Sequence, residues 1–148
     1  MYSSIFFAWG LAAITVGLHA VGLALMLRIL DHRGNVLMTQ LGAISTRLVW
    51  VACYMVLLHL MAISIWGAFY VWQGCLPDPE TAFYFSGVTY ATIGYGDVVL
   101  GKPWRLLGLM EGLTGILMCG LSTGVFFAVV NHIYQFFHTT IDDDHKSW

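Results

Sequence analysis

Asp78-Pro79-Glu80-Thr81-Ala82-Phe83-Tyr84-Phe85-Ser86-Gly87-Val88-Thr89-Tyr90-Ala91-Thr92-Ile93-Gly94-Tyr95-Gly96-Asp97 is the stretch on which the fold turns. It opens as a helix does. Asp78 can cap the first free N–H groups, Pro79 suits the first helical position, and Glu80 favours the positive end of the helix dipole. Gly94 and Gly96 break the helix soon afterwards. A helix over 79–91 is apolar, yet it falls short of the roughly 20 residues a membrane span needs. Such a segment reads as re-entrant, and irregular backbone at membrane depth persists only when buried in protein or lining water.

The rest of the chain supplies the membrane. Of 148 residues, 59% are hydrophobic and 9% charged. Soluble domains carry about a quarter charged residues, so lipid is expected to be the main solvent. Long apolar stretches run over 5–30, 48–72 and 104–130, each long enough to cross. The first is expected to be a retained span, because no basic residue precedes it and it exceeds the apolar region of a leader. Its small residues Ala13, Gly17, Ala20 and Ala24 suit close approach of another helix. The second ends among Trp66, Tyr70 and Trp72, rings that favour the headgroup level. Arg28, Arg33 and Arg47 flank the first connection and place it in the cytoplasm. The N-terminus and the short helix then face outside and the C-terminus faces inside, although Lys102 and Arg105 on the outer side count against this orientation. A net charge of -2 without a basic stretch points away from a nucleic-acid partner.

Glycine at alternate positions 94 and 96 has a chemical use. It permits alternating backbone twists without steric cost, so that several carbonyls in a row can point one way and replace the water of a dehydrated cation. The Thr92 hydroxyl can add an oxygen at the inner end, while Ile93 and Tyr95 are expected to point away and wedge the loop from behind. One loop cannot encircle an ion, so a fourfold ring of chains is required.

The string Thr92 to Asp97 resembles the selectivity filter of the potassium-channel superfamily. The surroundings from about Arg47 to Asn131 follow that family's order of outer helix, turret, pore helix, filter and inner helix, and the nearest likeness is to small bacterial channels with one pore loop per chain. The resemblance implies an all-α membrane protein with three transmembrane helices, a re-entrant pore helix and a filter loop, assembled as a homotetramer in lipid, in a bacterial inner (plasma) membrane. It implies potassium-selective conduction with K+ held at Thr92, Ile93, Gly94 and Tyr95 of a filter that continues to Gly96, Asp97 at the outer mouth, a hinge glycine at Gly115, and Ile116, Cys119 and Thr123 facing the cavity. The expected division is an extra N-terminal span over 1–31, a cytoplasmic connection over 32–47, a pore domain over 48–131 and a short cytoplasmic tail over 132–148. Within the pore domain the outer helix is expected over 48–72, the pore helix over 79–91, the filter over 92–97 and the inner helix over 104–131. The carboxyl end of the pore helix, near 89–91, would aim its negative dipole end at the cavity.

Several positions depart from the pattern. Val88 stands where several family members carry a glutamate paired with the aspartate after the filter, so Asp97 is expected to be held by other groups such as Trp or Tyr donors. The first span lacks the repeated arginines of a voltage sensor. Glu111 lies within a span, where a carboxylate is costly, and is read either as an anchor to the pore helix or a neighbouring span, or as a pH-sensitive gate element. His19 and His59 read as hydrogen-bonded packing residues, and His132, His138 and His145 as solvated. Cys53 and Cys119 read as small buried hydrophobes. Cys75, in a loop, reads as a free thiol or as paired to Cys75 of another subunit. No cofactor beyond the permeant ion is expected. No nucleophile–base or metal constellation appears, so the chain is not expected to be an enzyme. Two further readings remain open at this point, a weakly selective cation channel and a non-conducting regulatory membrane subunit.

Overall fold

The structure, a computed structural model, describes residues 2–32 and 41–146, with side chains over 4–31 and 42–135. Within them it is all helix and turn. Helix α1 is Tyr2–His32, α2 is Leu41–Trp72, α3 is Pro79–Tyr90 and α4 is Arg105–Lys146, with one 3-10 turn at Lys102–Trp104 leading into α4. Among the described residues three spans are long and apolar enough to cross a membrane: Ser4–Asp31, Gly42–Trp72 and Lys102–Gln135. Helix α3 has 12 residues, about 18 Å at the usual rise, against a hydrocarbon core of about 30 Å.

Local chemistry sets the ends of these helices. Gly74 takes φ +61°, and beside it the Cys75 N–H donates to Tyr70 O and the Gly74 N–H to Val71 O. This pair of bonds terminates α2 as a left-handed glycine cap does. Four residues on, Asp78 caps α3: its carboxylate accepts from the Thr81 N–H at 2.9 Å and the Thr81 hydroxyl at 2.8 Å. These bonds hold the Asp78 carboxyl below the usual carboxylate range.

The start of α1 packs with the end of α2 and the start of α4. Ala8, Leu11 and Ala12 meet Trp66, Phe69, Tyr70, Ala82, Phe85 and Leu107 in one cluster. The far end of α1 packs with the opposite ends: Leu23, Met26 and Leu30 meet Val51, Met55, Leu58, Val129 and Ile133. Hence α1 and α4 run the same way and α2 runs against them. The first span is part of the bundle of its own chain. Ser4 Oγ donates to Pro103 O at one end, and Arg47 Nη2 donates to Leu30 O at the other.

The structure refines several expectations. The small-residue row Ala13, Gly17, Ala20 and Ala24 lies exposed in the single chain, and the face of α1 that packs within the chain is Ala8, Leu11, Thr15, His19, Leu23, Met26 and Leu30. Trp66 and Tyr70 are fully buried within the chain, while Trp72 is 73% exposed. Both inward rings carry a polar group that finds a partner, as buried Trp and Tyr require: Trp66 Nε1 donates to Thr15 Oγ1 and the Tyr70 hydroxyl to Glu111. Cys53 and Cys119 are exposed in the single chain, since each sits on the side of its helix turned away from the bundle. Finally, α4 does not stop near 131; it continues as helix through the expected tail to Lys146. The outer helix also begins earlier than 48, at Leu41. The part of the expected connection over 33–40 lies outside the described residues, as do the side chains of His138 and His145.

Cys75 is a free thiol in the chain. Burial pushes it up from its ordinary value, which disfavours the thiolate that oxidative pairing needs.

Candidate functional site: the turn after the short helix

Helix α3 delivers the chain into an unusual backbone. Three residues take positive φ in alternation: Thr92 at +59°, Gly94 at +54° and Gly96 at +79°. Glycine reaches this region at no steric cost, but threonine, being β-branched, does not. A strained residue of that kind persists only where its surroundings over-determine it. The surroundings here are the end of α3. The Val88 carbonyl accepts from both the Ile93 N–H at 2.8 Å and the Gly94 N–H at 3.1 Å, and the Thr89 carbonyl accepts from the Thr92 N–H at 2.9 Å. Val88, the position without a carboxylate, thus holds the turn through its backbone.

Asp97 is held by Tyr84. The tyrosine hydroxyl donates to Asp97 Oδ2 at 2.8 Å, and Asp97 Oδ1 accepts from the Val98 N–H at 3.0 Å. This is the kind of donor expected in place of the missing glutamate.

Helix α4 supports α3 through a row of glycines one helical face apart. A Cβ at Gly108 would lie 3.4 Å from the Phe85 ring, one at Gly112 3.5 Å from Thr89 O, and one at Gly115 2.0 Å from Tyr90 O. Backbone carbonyls at the end of α3 therefore rest almost directly on the backbone of α4. Gly115, expected as a hinge, sits buried at this closest approach.

Above that contact lies Glu111, 0% exposed. Its carboxyl lies 2.6 Å from the Tyr70 hydroxyl of α2 and 2.5 Å from the Ser86 hydroxyl of α3. Ser86 Oγ is also 2.9 Å from the Ile63 carbonyl of α2. The anchor between neighbouring helices is thus present in the structure. The role of Ser86 was not legible in the sequence, where it is one small polar residue in an apolar helix.

The remaining candidates divide by face. Thr92, Gly94 and Ile116 share one groove with Thr89, Gly112 and Leu113. Cys119 and Thr123 lie on the exposed side of α4 further along and do not line that groove. Ile93 and Tyr95 are 53% and 70% exposed in the single chain, so nothing within the chain wedges them. His19 and His59 meet: His19 Nε2 is 3.3 Å from His59 Nδ1, which is 3.2 Å from the Tyr90 hydroxyl. His19 Nδ1 donates to Thr15 O at 3.0 Å. Sequence reasoning placed both imidazoles in packing contacts but had no signal that they would pair across α1 and α2. Among the described residues no group of three or more His, Cys, Asp or Glu side chains could hold a metal ion.

Comparison with known proteins gives a direct result over this same region. The model of an ion channel family matches residues 45–132, from the start of α2 past the glycine row of α4. The chain is also similar to the voltage-gated potassium channel Kch of Escherichia coli (strain K12), 39% identical over 72 residues that cover 45% of this chain and 17% of that protein. The chain therefore spans less than a fifth of the length of that relative. No solved structure matches the chain. With α2, α3, the turn at 92–97 and most of α4 inside the matched region, the chain belongs to the ion channel family and is a multi-pass membrane protein.

Proposed function

We propose that this channel is selective for potassium and that its filter is residues 92–96. The observation that carries the reading is the alternation of positive φ at Thr92, Gly94 and Gly96 immediately after a capped short helix. Alternating backbone hand lets successive carbonyls face one side, where together they can replace the hydration shell of a potassium ion. The exposure of Ile93 and Tyr95 supports assembly, because side chains on the far side of such a turn need a neighbouring copy to pack against. In this reading four chains close a ring about a common axis. Helix α3 enters the membrane from outside, Asp97 lies at the outer mouth, and Ile116, Cys119 and Thr123 line the cavity below. The resemblance of the matched region to a potassium channel favours the same ion. The C-terminus is then cytoplasmic, with Arg28 and Arg47 at the inner surface.

Purified protein in liposomes tests this. A potassium gradient should drive flux, and sodium or N-methylglucamine should not substitute. Equal sodium and potassium flux, or none, contradicts it.

A further inference from the structure

Glu111 is the only buried carboxyl among the described residues, and conduction through 92–96 makes no use of it. Its surroundings constrain its protons. Tyr70 and Ser86 each own one hydroxyl proton, and a backbone carbonyl can only accept. Were Glu111 a carboxylate, Ser86 would face two acceptors, Glu111 Oε1 at 2.5 Å and Ile63 O at 2.9 Å, with one proton between them. One pair of oxygens would then be in contact with no hydrogen to join them. If Glu111 instead carries the proton, every contact is satisfied. The Glu111 O–H donates to Ser86, the Ser86 O–H donates to Ile63 O, and the Tyr70 O–H donates to the other Glu111 oxygen.

The charges around the site agree. The titratable groups that face Glu111 are Tyr70 from α2 and Tyr90 from α3. Its side-chain partners among the described residues are hydroxyls, with no cation to offset a buried negative charge, and an unpaired buried carboxylate is among the costliest groups a fold can hold.

We propose that Glu111 works as a neutral carboxylic acid whose proton completes a chain from Tyr70 through Glu111 and Ser86 to Ile63, pinning α3 to both α2 and α4. Glu111 is a positioning residue and touches no ion. Its effect reaches the turn because Ser86 lies half a helical turn before Val88, whose carbonyl fixes the Ile93 and Gly94 N–H groups.

Infrared spectroscopy and a conservative replacement test this together. Wild-type protein in liposomes at neutral pH should show the carbonyl absorption of a protonated, hydrogen-bonded carboxylic acid, and Glu111→Gln should lack it. The glutamine amide reproduces the neutral pattern, accepting from Tyr70 and donating to Ser86, so Glu111→Gln should keep potassium flux and its preference over sodium within about twofold. Ser86→Ala and Glu111→Leu break the chain and should lower flux about tenfold or more. If Glu111→Leu does not assemble, Ser86→Ala carries that arm. Absence of the protonated band from wild type overturns the proposal. So does a Glu111→Gln protein that melts like wild type yet has lost selective flux. The flux arm rests on the potassium-filter reading and the infrared arm does not. A protonated band in a protein without potassium flux would therefore overturn that reading and leave the neutral acid standing.

Discussion

The two halves of the bundle balance polar and apolar contact differently. In the half that holds α3, polar bonds tie the elements together: Trp66 of α2 to Thr15 of α1, Tyr70 and Ser86 to Glu111, Ser86 to Ile63, and Tyr84 of α3 to Asp97 in the turn that follows it. At the opposite end two polar bonds join α1 to α2, Tyr54 to the Gly22 carbonyl and Arg47 to the Leu30 carbonyl, beside an apolar cluster of Leu23, Met26, Leu30, Val51, Met55, Leu58, Val129 and Ile133. Directional bonds fix atoms to within a few tenths of an ångström. Apolar contact tolerates sliding, and in lipid it lacks even the release of water as a driving force. On the proposed reading, the half that places carbonyl oxygens is the half where polar side chains join α2, α3 and α4.

Substitutions can break or sharpen that contrast. The largest effect is expected at Gly115→Val, because a Cβ there would meet the Tyr90 carbonyl oxygen at 2.0 Å. Backbone on both sides leaves little room to yield, so a loss of at least about 3 kcal/mol is expected. Size-exclusion chromatography and flux should both show loss of the functional particle. Gly96→Ala comes next. It forces an L-residue to φ +79°, at a cost of about 1–2 kcal/mol per chain. The helices should keep their circular dichroism while the potassium-to-sodium flux ratio falls. Leu58→Ala probes the apolar cluster. Its cost is the cavity alone, about 1–2 kcal/mol, so the melting midpoint should drop while the flux ratio stays at the wild-type value. A changed ratio there would erase the distinction between the halves.

The smallest effect concerns acid. Asp78 is held below its ordinary range, first by the Thr81 N–H and then by the Thr81 hydroxyl. A carboxyl depressed in the folded state stabilises above its unfolded value of about 4 and loses that contribution as pH falls through the folded value. Melting followed from neutral to strongly acidic pH should therefore show a decline below about pH 4 that is shallower in Asp78→Asn, whose amide oxygen still caps α3.

The cap at Asp78 and the turn at 92–97 were legible because their chemistry is local: a side-chain acceptor three residues before an N–H, and glycines at alternate positions. The face of α1 that packs was not. In a membrane, apolar residues occur all round a helix, one side meeting protein and the other lipid. The row Ala13, Gly17, Ala20 and Ala24 then looks as suited to packing as the row that does pack. The same ambiguity hid the inward direction of Trp66 and Tyr70, whose polar atoms have partners inside the chain. Glu111 announced itself as a carboxylate in need of partners. Ser86, 25 residues away in sequence, could not be named as one until the angle between α3 and α4 was known, and that angle depends on the glycines at 108, 112 and 115.

The measurement that bears most directly on the central claim is the density of rubidium or thallium, both potassium mimics, in the assembled particle. The account predicts heavy-ion density on a fourfold axis, ringed by the main-chain oxygens of Thr92, Ile93, Gly94 and Tyr95. Density that avoids those oxygens, or turns whose carbonyls face away from a shared axis, would contradict it.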